Sequence, residues 1–188
     1  MTARQKPPWM QIGPHGKKLE IPNLGAVDMS HLDLSDLTPA LSRQCRFNGH
    51  CNIFYSVLEH CCLVASLVPP AFRREALLHD LAEAVIGDIP TPLKQAGGKA
   101  PVMARLEMAV ARRFVFSWPS SAEVKTADHW ALHIEYEHLC PHSKHKWEAL
   151  TAPMPTKIPS RMIGFLGRSP EQAQRLWHDM WADSLVDG

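Results

Sequence analysis

Two consecutive helical patterns, each carrying a histidine inside an otherwise apolar segment, constrain the fold of this chain most. The first spans about residues 52–68 and carries His60; the second spans about residues 71–86 and carries His79, directly followed by Asp80. A Pro-Pro pair ends the first pattern, since proline stops a regular helix. Burying charged groups costs several kcal/mol unless they are paired, hydrogen-bonded or metal-bound. The sequence therefore predicts two adjacent core helices with a polar or metal-binding site between them.

The remaining sequence predicts an all-α protein with one small β element. Trp9–Ile12 and Lys17–Ile21 flank a Gly-Pro-His-Gly turn, which is typical of a short hairpin. Apolar periodicity predicts further helices near residues 34–45, 102–116, 121–139 and 169–185. Residues 87–92, 95–100 and 140–159 are expected to be loops. The predicted fold is a bundle of five to seven helices with an N-terminal β-hairpin.

Composition excludes several classes of protein. The 188 residues are 45% hydrophobic and 21% charged, which fits one globular domain with a sizeable core. A net charge of +1 argues against a general nucleic-acid binder. No apolar run is long enough to span a membrane, and the first residues lack the core of a signal peptide. The five cysteines have no CxxC spacing and are interpreted as reduced thiols of a cytosolic protein.

The histidines and carboxylates of the two patterns have the composition of a metal site. Adjacent residues on a helix lie about 100° apart, so His79 and Asp80 can converge on one ion only near an edge of the buried face. His60 would add a second nitrogen, and Asp128 on a later helix is the best candidate for a fourth ligand. Nitrogen and carboxylate donors suit Zn, Mn, Fe or Co better than Ca or Mg alone. The alternative is that both histidines are hydrogen-bonded core residues and Asp80 is a helix cap.

Two stretches of sequence carry a family resemblance. SVLEH and ALLHDLAEAVIGDIPTPLK resemble the HD-domain superfamily of metal-dependent phosphohydrolases, and within it the bacterial 5′-deoxynucleotidases and their phage-encoded relatives. RFNGH and FYSVLEH resemble the phage group that includes dATP triphosphohydrolases of phages using 2-aminoadenine. The resemblance covers roughly residues 28–140. It implies one HD domain over residues 1–188, with an extension or hairpin in 1–27, a loop in 141–168 and a C-terminal helix in 169–188.

The resemblance also implies a divalent-metal centre with catalytic carboxylates. Its implied ligands for one ion of Co, Mn, Zn or Mg are His60, His79, Asp80 and Asp128. Glu83 and Asp88 occupy the positions of the catalytic carboxylates, which would position or deprotonate a water or protonate the leaving oxygen. Which of the two does which stays open, and the alternative for Glu83 is an ion pair with an arginine.

The resemblance implies that three cationic side chains near these positions bind the substrate phosphates. Arg46, Lys94 and Lys125 stand where the family faces the substrate phosphates, with Arg suited to bidentate and Lys to point-charge contacts.

Sugar and base contacts are implied by three further positions. Phe47 would pack against the sugar's 2′ position and favour deoxyribose, because a 2′-hydroxyl would lack a partner there. Pro92 would line the base pocket, and Gly49 is smaller than the residue expected in a strictly dATP-specific site.

The implied function is hydrolysis of deoxynucleotides. The first expectation is a dNTP (dATP) triphosphohydrolase that releases deoxynucleoside and triphosphate. Alternatives are a 5′-deoxynucleotidase acting on dNMPs and a non-catalytic nucleotide-binding HD module. The partners expected are a small deoxynucleotide and further copies of the chain, in a dimer or hexamer, with no stable nucleic-acid or membrane binding. The expected location is the cytoplasm, that of a bacterial host if the chain is phage-encoded.

A second group of histidines lies later in the chain, and its members are His129, His133, His138, His142 and His145. His129 and His133 are four residues apart and could share a structural zinc with Cys140 or His142. The favoured interpretation is a partly exposed, histidine-rich helix end. Trp177 and Trp181 are interpreted as core or subunit-contact residues.

Overall fold

An antiparallel hairpin opens the fold and covers one side of the helical core, as the sequence predicts. The computed structural model describes residues 6–97, 101–141, 164 and 166–186. Strands β1 (Trp9–Ile12) and β2 (Lys17–Glu20) pair across a tight turn that has a glycine at each end. Both glycines have positive φ, 70° and 67°, a region that side chains rarely adopt. Each strand buries one apolar side chain in the core, Ile12 and Leu19.

The described part of the chain is otherwise mostly helical, which confirms the all-α class. The helices have these bounds: α1 (Leu34–Leu41), α2 (Val57–Leu67), α3 (Arg73–Leu78), α4 (Glu83–Ile86), α5 (Thr91–Gly97), α6 (Pro101–Phe114), α7 (Ala122–Leu139) and α8 (Pro170–Val186). Short 3-10 helices form at Arg46–Gly49 and Pro70–Phe72. Among the described residues, none of these helices is long and apolar enough to cross a membrane.

Helix α2 is the centre of the fold. It packs against α3, α7 and α8, and its residues from Val57 to Ala65 are all buried. Ser56 caps it by accepting a hydrogen bond from the Glu59 backbone N–H, and the Glu59 carboxylate accepts one back from the Ser56 backbone N–H. This reciprocal capping box satisfies two otherwise unpaired donors and fixes the start of the helix. The helix therefore begins about five residues later than the predicted residue 52.

The prediction of one continuous helix over residues 71–86 was wrong. The chain forms α3, leaves the helical ladder at His79, and resumes as the short helix α4. In the connecting turn the Leu81 N–H bonds to the Leu78 carbonyl and the Glu83 N–H to the Asp80 carbonyl, an i to i−3 pattern. A tighter turn of this kind changes the angle between successive side chains. The helix break therefore brings the adjacent side chains of His79 and Asp80 into one site.

The predicted connection through residues 95–100 was also wrong where it is described. Thr91–Gly97 forms α5, with Pro92 in the first turn, where a missing N–H costs nothing. The predicted loop over residues 87–92 is confirmed only for residues 87–90, with Gly87 at φ 87° directly after α4, because Thr91 and Pro92 belong to α5. The predicted loop over residues 140–159 lies almost wholly outside the described residues, whereas the last predicted helix is confirmed as α8.

Candidate metal centre

Three predicted ligands from three helical segments meet in one place. His60 comes from the middle of α2, His79 from the end of α3, and Asp128 from the second turn of α7. One ligand atom of each lies within 4.8 Å of the others. The two imidazole rings are 5.2 Å apart between centroids. The side chains therefore offer two nitrogens and one oxygen to a common point.

The free ring nitrogens of the two histidines support the fit of a cation. His60 Nε2 and His79 Nε2 are buried and have no hydrogen-bond partner among the described residues. His60 Nε2 lies 3.1 Å from Asp128 Oδ1, close enough for attraction but without hydrogen-bond alignment. Buried polar atoms are almost always satisfied in folded proteins. Two such nitrogens facing one carboxylate fit a transition-metal ion by donor type as well as by position.

Asp80 borders the same point. Its Oδ2 lies 3.3 Å from His79 Nε2 and 3.5 Å from His60 Nε2. The same oxygen is 3.7 Å from an Arg46 guanidinium nitrogen. Burial raises the pKa of Asp80, but the charges of His79, His60 and Arg46 outweigh it and hold this pKa well below its usual range. Asp80 is therefore an ionised carboxylate placed beside the point on which His60, His79 and Asp128 converge.

The carboxylates attract positive charge to both imidazoles. Burial and the Arg46 charge lower the pKa of His60, but Glu135 and Asp128 outweigh them and raise it to about 9. Burial also lowers the pKa of His79, yet Asp80 raises it well above its ordinary value. Protons or one divalent cation can supply the positive charge that this site favours.

An open cavity of about 720 Å³ lies over the centre. Asp80, Glu83 and Asp128 line its floor, and one wall is formed by α7 from Asp128 to Tyr136 together with Cys140, which directly follows the helix. The other walls are the 3-10 segment around Phe47 and the stretch from Asp88 to Gln95. The cavity falls in the size range of small-molecule sites.

The two predicted catalytic carboxylates both line this cavity. Glu83 accepts a hydrogen bond from Lys94 Nζ at 3.1 Å, so the predicted alternative of an arginine partner is replaced by a lysine. Burial raises the pKa of Glu83 to about 8; repulsion by Asp80 and Asp88 adds to the shift, and Lys94 and Arg46 oppose it. Glu83 is therefore poised to hold a proton near neutral pH, which a general acid requires.

Arg46 faces the cavity but is already held by carboxylates. Its guanidinium lies 3.3 Å from Glu135 Oε2 and 3.7 Å from Asp80 Oδ2. The backbone of Arg46 is held in place by its neighbours. Cys45 and Ser56 form an isolated antiparallel β-bridge, and the Arg46 N–H donates to the Tyr55 carbonyl at 2.9 Å.

Glu135 is the site residue that the sequence reasoning missed. It is fully buried on α7, and its carboxylate accepts from Tyr55 Oη at 2.8 Å and lies 2.5 Å from His60 Nδ1. The signal was available: Glu135 follows Asp128 by two helical turns, among apolar residues such as Ile134 and Leu139. An acidic residue in that setting needs a buried partner.

The structure does not bring every predicted residue to the cavity. Phe47 and Pro92 line it, while Gly49 and Lys125 do not. Lys125 is exposed on α7 one turn before Asp128, and the helix contributes to the cavity only from Asp128 onward. Lys125 is therefore not part of the cavity lining, and its contact with a phosphate stays a prediction.

The second histidine group is divided. His129 and His133 line the cavity wall, and His138 Nδ1 bonds to the Ile134 carbonyl of its own helix at 2.8 Å. His142 and His145 lie outside the described residues. Among the residues that the structure describes, His60, His79 and Asp128 are the one group of potential metal ligands whose donor atoms converge.

Two curated bacterial proteins are similar to this chain. The uncharacterized protein RCAP_rcc00048 of Rhodobacter capsulatus is 34% identical over 139 residues, which are 66% of this chain and 69% of that protein. The chain belongs to the same family as this protein. The uncharacterized protein YfdR of Escherichia coli K12 is 45% identical over 69 residues, 37% of this chain and 39% of YfdR, so the match spans well under half of that relative's length. No protein-family model matches the chain.

Proposed function

We propose that the protein is a metal-dependent phosphohydrolase acting on deoxynucleotides. The observation that carries the proposal is the convergence of two buried imidazole nitrogens, of His60 and His79, with Asp128 beneath a cavity of about 720 Å³; neither nitrogen makes an aligned hydrogen bond to a described residue. A bound divalent ion would supply a Lewis acid for the phosphoryl oxygens and lower the pKa of its water. His60, His79, Asp128 and Asp80 would hold it.

Residues of the chain supply the remaining chemistry. Glu83 would hold the proton that passes to the leaving oxygen, or orient the attacking water, and Asp88 lies in the same cavity to take the complementary role. Lys94, hydrogen-bonded to Glu83, carries its charge at the cavity wall, where it can meet a phosphate.

Two forms of the reaction are distinguished by the charge they require. The sequence resemblance favours a dATP triphosphohydrolase, whose substrate brings a triphosphate. Among the described residues, however, the Lys and Arg side chains that line the cavity are Arg46 and Lys94, and each is already paired with a carboxylate. This modest positive charge supports a second candidate function, a 5′-deoxynucleotidase, because its monophosphate substrate needs fewer cations.

The test is product analysis over a nucleotide panel. The protein is incubated with dATP, dAMP and the other deoxynucleotides in the presence of Co²⁺, Mn²⁺, Zn²⁺ or Mg²⁺, and products are resolved by chromatography. Triphosphate from dATP supports the first form and orthophosphate from dAMP the second. The Asp128→Asn variant should lose at least 100-fold in rate, whereas the control Glu137→Gln, exposed on the same helix, should keep it. Absence of turnover with every metal would refute the proposal.

A further inference from the structure

The environment of Glu135 differs from that of an ordinary buried acid. The residue lies on the core side of α7, and its carboxylate is fully buried. It has three partners on other parts of the chain: His60 Nδ1 at 2.5 Å, Tyr55 Oη at 2.8 Å and an Arg46 guanidinium nitrogen at 3.3 Å. Each oxygen is engaged, so the charge is satisfied and the group is held in one orientation.

These contacts determine what His60 can do. With Nδ1 held against Glu135 Oε1, the imidazole cannot rotate without breaking this bond and leaving its own buried Nδ1–H without a partner. In the neutral ring, a proton on Nδ1 leaves the lone pair on Nε2, the nitrogen that faces Asp128 and Asp80. The geometry therefore selects the tautomer that can bind a cation at this site.

His79 has the same arrangement with a different partner. Its Nδ1 lies 2.7 Å from the Ala76 carbonyl, and its Nε2 faces the common point. A histidine that binds a metal usually donates its other N–H to a carboxylate or a backbone carbonyl, which fixes the ring and raises the basicity of the ligating nitrogen. This chain uses a carbonyl for one histidine and a carboxylate for the other.

Stability alone does not account for Glu135. Its neighbours on the buried face of α7 are apolar, as at Ala131 and Ile134, and a buried ion pair often contributes no more than well-packed apolar residues would. Resting on the metal site of the proposed function, we propose that Glu135 is a positioning residue, held by Tyr55 and Arg46, that orients His60 Nε2 toward a divalent transition-metal ion.

The chain offers a matched control for this role. Glu59 is also a fully buried carboxylate on the same ligand-bearing helix, directly before His60. Its partners are the Ser56 hydroxyl and backbone N–H and the Arg168 backbone N–H at 2.7 Å, none of which belongs to the metal centre. Glu59→Gln therefore removes a buried charge of the same kind without freeing the His60 ring.

The experiment measures metal binding by the full-length protein rather than turnover. Wild type, Glu135→Gln and Glu59→Gln are titrated with Co²⁺, whose visible absorption reports ligand geometry, and Kd is obtained by competition with a chelator. Glu135→Gln should bind 10- to 100-fold more weakly with an altered spectrum, the range typical of lost outer-shell partners. Glu59→Gln should melt at a lower temperature yet keep the wild-type spectrum and a Kd within about threefold of wild type, since its contacts lie outside the centre.

The outcomes separate this role from the function on which it rests. Wild type that binds Co²⁺, with Glu135→Gln matching its spectrum and Kd, would overturn the role of Glu135 and leave the metal site standing. Wild type that binds no Co²⁺, Mn²⁺ or Zn²⁺ would overturn both. If Glu135→Gln does not fold, Tyr55→Phe removes one hydrogen bond to the carboxylate and should weaken Co²⁺ several-fold. An unchanged Kd in a folded Tyr55→Phe protein would then count against the proposal.

Discussion

Raising the pH should destabilise the metal-free protein across a range in which most proteins are indifferent to pH. The cause is His60, whose ordinary pKa of 6.5 is raised to about 9 in the folded chain by Glu135 and Asp128, against burial and Arg46. Between these two values the folded state binds one more proton than the unfolded state, so the free energy of unfolding falls as pH rises. The stabilisation is complete below pH 6.5 and lost at about pH 9.

The expected size follows from that difference in pKa. At 1.36 kcal/mol per pH unit, His60 alone contributes about 3 kcal/mol. In a domain of this length that is a fall in Tm of about 6–12 °C. His79 and Glu83 act in the same direction, since folding raises the pKa of both. Asp80 has a lowered pKa, and the stability it contributes is lost only on acidification below about pH 4, outside this window.

The assay is thermal denaturation in EDTA at several pH values from 6.5 to 9, followed by circular dichroism. The His60→Gln variant removes one of three titrating groups and should reduce the slope by about a third, since His79 and Glu83 still titrate, whereas His15→Gln, exposed in the hairpin turn, should not change it. Saturating Co²⁺ should reverse the trend, because a cation replaces the proton and binds more tightly as pH rises. A Tm of the metal-free wild type that stays level or rises between pH 6.5 and 9 would refute the electrostatic account.

Two further predictions concern the scaffold. Gly13→Ala should lower the free energy of unfolding, measured with denaturant, by about 2 kcal/mol or more, because an added Cβ would lie 2.9 Å from the Asp36 Cα. Gly16→Ala should lower it by only about 1 kcal/mol, since its φ is positive but nothing lies nearer than 3.8 Å to the added Cβ. Equal losses for the two variants would contradict this reasoning. Trp177→Ala should lower the free energy of unfolding by about 3–5 kcal/mol, because the ring is fully buried and its Nε1–H donates to the Leu77 carbonyl at 3.0 Å. A loss under about 1 kcal/mol would mean that α8 does not complete the core.

Local sequence signals predicted the scaffold well because each element carries its own pattern. The hairpin is recognisable from its Gly-Pro-His-Gly turn, and α7 and α8 are recognisable from their apolar periodicity. The break in the second ligand helix was not predictable in this way. The segment around His79 has helical propensity and apolar periodicity throughout, and the turn there depends on contacts with other helices.

The candidate site shows the same division between local and tertiary information. His60, His79 and Asp128 were identified because metal-ligating residue types on apolar helices are unusual. The apolar neighbours of Glu135 indicate that it is buried, but its contact with His60, 75 residues away in sequence, is visible only in the folded chain. Arg46 was predicted to face phosphate, but sequence position could not reveal that two carboxylates already hold its guanidinium.

The pairing of cations with carboxylates links the charge state of the cavity to phosphate binding. Lys94 is hydrogen-bonded to Glu83, whose pKa is about 8, so near neutral pH this carboxylate holds a proton in much of the population. A neutral Glu83 holds the Lys94 ammonium less strongly, which leaves that charge available to a phosphate. Arg46 has no such freedom, because the pKa of Glu135 is held below its ordinary value by Arg46 and His60 despite burial. Under the proposed function, Lys94 would therefore respond to substrate, while Arg46 would keep the ligand Asp80 and the positioning residue Glu135 in place.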